Sequence, residues 1–128
     1  MFEKLSNLHQ KCFPTKPWSA DDFRDLKNSG CEIIMSENGF IVYRIAVDEA
    51  EIITIGVNPD FRRNGIASAM IEIIEKNLKN QGVKKLFLEV ASNNMPAQKL
   101  YENMGFKTVG LRPKYYDGVD AILMSKDI

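Results

Sequence analysis

The sequence has few of the residues that build metal sites, disulfides and histidine-dependent nucleophiles. Its 128 residues include two cysteines, one histidine and one tryptophan. Cys12 and Cys31 show no CxxC spacing, so we expect neither a zinc site nor a disulfide framework. Free thiols in a reducing cytoplasm are the simplest interpretation. No pattern pairs His9 with either thiol, which argues against a catalytic cysteine.

The chain also lacks an excess of either charge and any long apolar run. Basic and acidic residues each number 17, so the formal net charge is zero, whereas nucleic-acid-binding domains are usually basic. No apolar segment approaches the ~20 residues that span a bilayer, and residues 1–10 do not resemble a signal peptide. With 45% hydrophobic and 27% charged residues, we expect one cytoplasmic domain over residues 1–128, which binds neither nucleic acid nor membrane.

The spacing of apolar and turn-forming residues predicts helices and strands in mixed order. Apolar residues recur three or four positions apart in three segments, as in helices with one buried side. Ser19 is a predicted N-cap for a further helix, and β-rich runs bounded by turn residues predict six strands. The result is an α/β fold with a mixed sheet and helices on both faces. The helices are marked by residues 5–12, 19–30, 67–78 and 97–104, and the strands by residues 33–35, 41–43, 52–57, 86–90, 106–111 and 121–125.

The most informative segment joins the third predicted strand to a helix. Residues 57–67 read VNPDFRRNGIA, and backbone N–H groups at a helix start bind pyrophosphate with help from the helix dipole. Gly65 lets a phosphate approach the backbone, and Arg62 and Arg63 add positive charge. The segment has neither the GK[ST] ending of a Walker A loop nor the pattern GxGxxG. On spacing alone, a solvated basic turn before a helix explains it equally well.

A second segment, residues 88–106, runs from a strand through a polar loop into a helix. Glu89 lies near the strand end, Asn94 at the helix start and Tyr101 on the apolar side of the helix. Each has an ordinary explanation, as a surface carboxylate, an N-cap and a core ring respectively. Taken singly, these residues favour the ordinary explanations.

Together the two segments resemble the GNAT superfamily of N-acetyltransferases, and the resemblance extends over nearly the whole chain. The sequence Arg62-x-x-Gly65-x-Ala67 matches the family signature [RQ]-x-x-G-x-[GA]. Residues 88–106 resemble the family pattern LEV-x(3)-N-x-x-A-x-x-LYE-x-x-GF. The resemblance implies the GNAT fold, with acetyl-CoA as cosubstrate and no metal. It implies cofactor contacts at Ile55, Val57, Arg62, Arg63, Asn64, Gly65, Ile66, Ala67, Ser68, Asn94 and Tyr101.

The same resemblance implies chemical roles. Glu89 corresponds to the general base, and Tyr101 to the tyrosine that protonates the departing thiolate. An α-amine has a reference pKa of about 7.7–8.0, against about 10.4 for lysine. A carboxylate acting through water is therefore a better match for an α-amine. Gly56 interrupts its strand, and a glycine inside a strand often marks a bulge. In this family a bulge at this position separates two parallel strands, and pantetheine lies between them. The resemblance therefore implies that Ile55 and Val57 offer backbone groups to the cofactor.

Three other segments, residues 12–19, 48–59 and 115–124, resemble the RimI-type ribosomal-protein N-terminal acetyltransferases. In that family the first and last border the acceptor groove, so Trp18, Tyr115 and Tyr116 are candidate peptide contacts. Trp18 can equally be a core residue, and we expect the two tyrosines in a polar turn. The chain departs from the family because the usual first strand is absent, which leaves a sheet edge short; a monomer or weak dimer is expected.

The predicted function is acetyl transfer from acetyl-CoA to the N-terminal α-amine of a protein, by direct attack in a ternary complex. The resemblance indicates a small-subunit ribosomal protein as the acceptor. Two alternatives are an acetyltransferase acting on a small-molecule amine and a non-catalytic module that binds acetyl-CoA and regulates a partner. The second is disfavoured because such a module needs neither Glu89 nor Tyr101.

Overall fold

The computed structural model describes residues 1–116 and 118–128, and only the backbone of Tyr116. The strands form one sheet in the order β1-β2-β3-β4-β6-β5, and the mixed α/β fold predicted from the sequence is confirmed. A short 3-10 turn, Pro59–Phe61, precedes the third helix. The elements in these described residues are α1 (Phe2–Cys12), α2 (Ala20–Asn28), β1 (Glu32–Met35), β2 (Gly39–Ala46), β3 (Glu49–Val57), α3 (Ile66–Asn80), β4 (Lys85–Ala91), α4 (Met95–Asn103), β5 (Lys107–Tyr116) and β6 (Val119–Asp127).

The chain divides into two compact units. One comprises residues 1–44 and 53–74, and the other comprises residues 45–52 and 75–128. Strands β2 and β3 and helix α3 therefore each contribute residues to both units. The assignment of residues 1–128 to one domain stays a prediction.

The first unit has an aromatic and aliphatic core. Leu5 and Leu8 of α1 pack with Phe23 of α2 and Phe40 of β2, and all four are buried. Ser19 caps α2 as predicted: its side chain accepts from the backbone N–H three residues later, and that residue's carboxylate accepts from the Ser19 N–H. This reciprocal capping box satisfies two donors that a helix start otherwise leaves unpaired.

Packing explains why residue 56 of β3 is glycine. A Cβ at this position would lie 2.8 Å from the Phe40 ring and 3.0 Å from Cys12 Sγ, closer than side chains can approach. The close approach of the aromatic ring therefore requires glycine here. The bulge inferred from this glycine stays a prediction.

The second unit is organised by β4, which is central in the sheet as predicted. Leu86, Leu88 and Val90 are buried, whereas Phe87 and Glu89 on the opposite face are half-buried. β4 pairs antiparallel with β6 along its whole length and parallel with the first three residues of β3. This alternation places Glu89 on the less covered face of a rigid strand.

The structure corrects the predicted position of the C-terminal tyrosines. β5 continues to Tyr116, five residues beyond the predicted end, so Tyr115 and Tyr116 belong to a strand instead of a polar turn. The register shifts near the strand end, where Lys114 adopts φ 51° and its N–H donates to Asp120 Oδ1 at 2.9 Å. Pro113 is tolerated because β5 is an edge strand, and the irregular pairing near it lets the strand continue.

The connection between β2 and β3 is shorter than predicted. β3 begins at Glu49, so two residues, Val47 and Asp48, join the strands. Val47 has φ 59° and is 96% exposed. A β-branched residue in the left-handed region is strained, and this one has little packing to offset the strain.

Candidate functional site

The predicted phosphate-binding turn is an exposed loop that leads into α3. Arg63 and Gly65 both have positive φ, 66° and 75°, and residues 62–65 are exposed. The first helical hydrogen bond runs from the Ala69 N–H to the Gly65 carbonyl at 3.0 Å. The preceding N–H groups, on residues 66–68, lie at the positive end of the helix dipole. These are the backbone N–H groups that are predicted from the sequence to bind a pyrophosphate.

Arg62 folds back onto the end of β3. Its Nε donates to the Val57 carbonyl at 3.2 Å, and Cys12 Sγ donates to the same oxygen, also at 3.2 Å. Burial raises the pKa of the Cys12 thiol, and the neighbouring Arg62 opposes this shift only in part. The thiol is therefore a protonated donor. The carbonyl of Val57, a residue whose backbone groups the family resemblance assigns to the cofactor, already accepts from two side chains.

Glu89 lies on the half-buried face of β4. It is 14% exposed, and its Oε1 forms an ion pair with Arg112 Nη2 at 3.0 Å. Its Oε2 is buried and has no hydrogen-bond partner among the residues that the structure describes. Buried polar atoms are nearly always paired, so this oxygen is suited to a water molecule or a bound amine.

Helix α4 starts at the end of β4 and is fixed there by two side chains. Asn94 is its N-cap, with Oδ1 accepting from the Ala97 N–H at 3.3 Å, so the N-cap explanation is confirmed. Gln98 Nε2 donates to the carbonyls of Ala91 and Ser92, at 3.1 Å and 3.0 Å. Sequence reasoning missed Gln98; its place one turn after the cap was the available signal.

Tyr101 lies in the core of the second unit. It is 6% exposed, and its ring meets Phe106 edge-on, with centroids 5.9 Å apart. The core explanation therefore holds for its ring. Its role as proton donor stays a prediction.

The candidate acceptor residues differ in their surroundings. The Trp18 ring stacks on His9 with centroids 4.7 Å apart, and the backbone N–H of Trp18 donates to His9 Nδ1 at 3.1 Å. Trp18 is half-buried against the first unit's core. Tyr115 is 53% exposed, and Arg112 lies over its ring, with 4.6 Å from Cζ to the centroid. The side chain of Tyr116 lies outside the described residues.

Arg112 is a second residue that sequence reasoning missed. It contacts Glu89 and Tyr115 and so joins two predicted site residues within the second unit. The sequence pattern predicts that this strand ends at residue 111, so a single arginine at the next position gives no sign of the contact. Its position became visible only with the longer β5.

Two general features accompany these sites. The described residues contain no group of three histidine, cysteine or acidic side chains placed to hold a metal ion. None of the helices in the described part of the chain is long and apolar enough to cross a membrane.

Comparisons with known proteins match both segments to one family. Residues 2–106 match the family described as Acetyltransferase (GNAT) family. The [ribosomal protein bS18]-alanine N-acetyltransferase of Escherichia coli is 36% identical over 123 residues, which cover 88% of this chain and 82% of that protein. The crystal structure of the ribosomal-protein-S18-alanine N-acetyltransferase from Escherichia coli has a TM-score of 0.89 at 30% identity, covering 99% of this chain and 87% of that one.

A more distant structure shares the fold. It is a GNAT family acetyltransferase from Elizabethkingia anophelis with acetyl-CoA bound, with a TM-score of 0.78 and 19% identity, covering 95% of this chain and 89% of that one. The predicted resemblance to RimI-type enzymes is confirmed by the Escherichia coli relative. The chain therefore belongs to the acetyltransferase (GNAT) family.

Proposed function

We propose that this chain transfers the acetyl group of acetyl-CoA to the N-terminal α-amine of a protein, and that the acceptor is a ribosomal protein whose first residue is alanine. The proposal depends on Glu89 Oε2, which is buried and has no hydrogen-bond partner within residues 1–116 and 118–128 as the structure describes them. A carboxylate oxygen held in this state binds a proton-bearing group more strongly than an exposed one does. The 36% identity to an Escherichia coli enzyme named for that acceptor supports the choice.

The turn before α3 supports acetyl-CoA as the cosubstrate. A pyrophosphate needs backbone N–H donors, positive charge and room near the chain. Residues 66–68 supply the donors, Arg62, Arg63 and Asn64 flank them, and an added Cβ on Gly65 would meet no atom within 4 Å. The first turn of α3 is built from uncharged residues, so it adds no repulsion against an anion. The residues fit the group.

Further cofactor contacts follow from the predicted residues. Asn94 uses its oxygen as the N-cap, so its amide nitrogen is the part that can donate to the cosubstrate. At Val57 the carbonyl already accepts from two side chains. A contact there uses the N–H, or it requires one of those side chains to move. Ile55, half-buried two residues earlier, is the other proposed backbone contact.

The proposed chemistry is a direct transfer. Acetyl-CoA supplies an activated thioester carbonyl. Glu89 takes a proton from the α-ammonium group through a water molecule, and Tyr101 gives a proton to the departing thiolate. An α-amine needs this help less than a lysine does, because roughly a tenth of it is already neutral near pH 7. This difference favours N-termini over lysine side chains as acceptors.

The test is an acceptor panel with acetyl-CoA. It contains a peptide with a free N-terminal alanine, the same peptide with a blocked N-terminus and one internal lysine, and a polyamine. We expect acetylation of the free N-terminus alone, with the modified atom located by mass spectrometry. Turnover of the polyamine alone would show a small-molecule acetyltransferase, and binding of acetyl-CoA without any transfer would show a non-catalytic module.

A further inference from the structure

Arg112 and Glu89 meet across the face of the sheet in the second unit. Arg112 of β5 is opposite Ala121 of β6, and Ala121 is opposite Ala91 of β4. Glu89 is two residues before Ala91 and so lies on the same face. The Arg112 side chain therefore crosses one whole strand to reach the carboxylate. The buried, small side chain of Ala121 leaves room for this crossing.

The ion pair differs from an ordinary surface pair. Pairs between two exposed side chains contribute little, because water screens them. Here the Arg112 side chain is 55% exposed, but its carboxylate partner is only 14% exposed. Attraction is less screened where one partner is sheltered from water. The contact therefore acts mainly on the orientation of Glu89.

The guanidinium group is held from two sides. Nη2 lies 3.0 Å from Glu89 Oε1, and Cζ lies 4.6 Å from the centroid of the Tyr115 ring. A cation at this distance from an aromatic face is attracted to it. Arg112 is thus fixed between a candidate base and a candidate acceptor contact, which limits the rotation of the Glu89 carboxyl group.

Only one oxygen of Glu89 is used in this contact. Because Oε1 faces Arg112, Oε2 is left as the oxygen without a partner among the described residues. From this geometry we propose that Arg112 is a positioning residue for Glu89: it holds the carboxylate in one orientation and directs Oε2 towards the acceptor amine or its water. The inference rests on the proposed function of Glu89 as the base.

The experiment compares Arg112→Gln and Arg112→Lys with the wild type in steady-state acetylation of an N-terminal peptide at about pH 7.5, close to the reference pKa of the acceptor α-amine. We expect Arg112→Gln to lower kcat about tenfold and to leave the KM for acetyl-CoA unchanged. Arg112→Lys should recover most of the rate.

Two comparisons separate positioning from a general structural effect. Lys107→Gln removes one positive charge from the other end of β5, where the side chain is exposed, and should change neither kcat nor the KM for acetyl-CoA. In a Glu89→Gln background, Arg112→Gln should cause no further loss, since it acts through Glu89. An additive loss in the double variant, or a wild-type kcat in Arg112→Gln, overturns the inference.

The outcome also distinguishes this inference from the proposed function. If Glu89→Gln retains the wild-type rate, the base assignment itself is wrong. If Glu89→Gln is slow while Arg112→Gln is as fast as the wild type, the base assignment stands and the positioning role alone is wrong.

Discussion

Glu89 combines two properties that a general base needs. It is sheltered, with 14% of its side chain exposed, and it lies on the half-buried face of β4, a strand paired on both sides. A rigid strand holds the carboxylate in place better than a loop would. The sequence indicated this residue through a family pattern, but only the structure shows that its Oε2 lacks a partner in the described part of the chain.

We expect Glu89→Gln to lower kcat by about two orders of magnitude near pH 7. The difference should shrink as the pH rises above about 8, where the α-amine loses its proton without help. Steady-state rates at several pH values measure it. Glu72→Gln, at an exposed position in α3, is the matched control and should behave as wild type. A pH-independent loss would point to a structural role for Glu89.

At the scale of elements, helix α3 has glycines of similar conformation just outside both ends. Gly65 precedes it with φ 75° and Gly82 follows it with φ 82°. An added Cβ would meet no atom within 4 Å at either position. The two glycines thus carry the same backbone strain on substitution, but only the first lies where an anion is proposed to bind.

Gly65→Ala and Gly82→Ala should therefore be separable. Each should cost about 1–2 kcal/mol of unfolding free energy, the cost of a Cβ in the left-handed region. Gly65→Ala should also raise the KM for acetyl-CoA about tenfold, because the methyl group lies against the approaching phosphate. Denaturant unfolding and steady-state kinetics measure the two effects. Equal KM values for acetyl-CoA in both variants would show that the turn before α3 does not belong to the cofactor site.

The sequence predicted most elements of this fold because their signals are local. The Ser19 cap and the apolar spacing of α3 depend on residues a few positions apart. The C-terminal strands were predicted too short, since Pro113 and the polar residues after it read as a turn. The continuation of β5 depends on the bond from Lys114 to Asp120. The Arg112–Glu89 pair escaped prediction for the same reason, because it depends on register across three strands.

At the scale of the whole molecule, His9 couples stability to pH. It is 2% exposed, and burial lowers its pKa from 6.5 to about 4, although Asp22 acts in the opposite direction. Its Nδ1 accepts from the backbone N–H of Trp18, which requires Nδ1 to be unprotonated. Below pH 6.5 His9 becomes protonated in the unfolded chain, whereas in the folded chain it stays neutral until the pH approaches 4. Stability is therefore full above that pH and falls as the pH decreases towards 4.

We expect the free energy of unfolding to fall by about 2 kcal/mol between pH 7.5 and pH 5, from about 1.36 kcal/mol per pH unit below pH 6.5. Urea unfolding at several pH values measures this slope. His9→Asn, which can still accept the Trp18 N–H, should be less stable at neutral pH but should show a flatter profile in this range. The same slope in both proteins would assign the effect to other groups.

The two-residue turn at Val47 has a practical consequence. Its side chain is 96% exposed, and its backbone is in a conformation that valine tolerates poorly. The chain loses little there if the residue is replaced or the turn is lengthened, since loop tips accept insertions better than packed segments do. This hairpin tip is therefore the place to attach a fluorescent label or an affinity peptide when the protein is to be followed in its native environment.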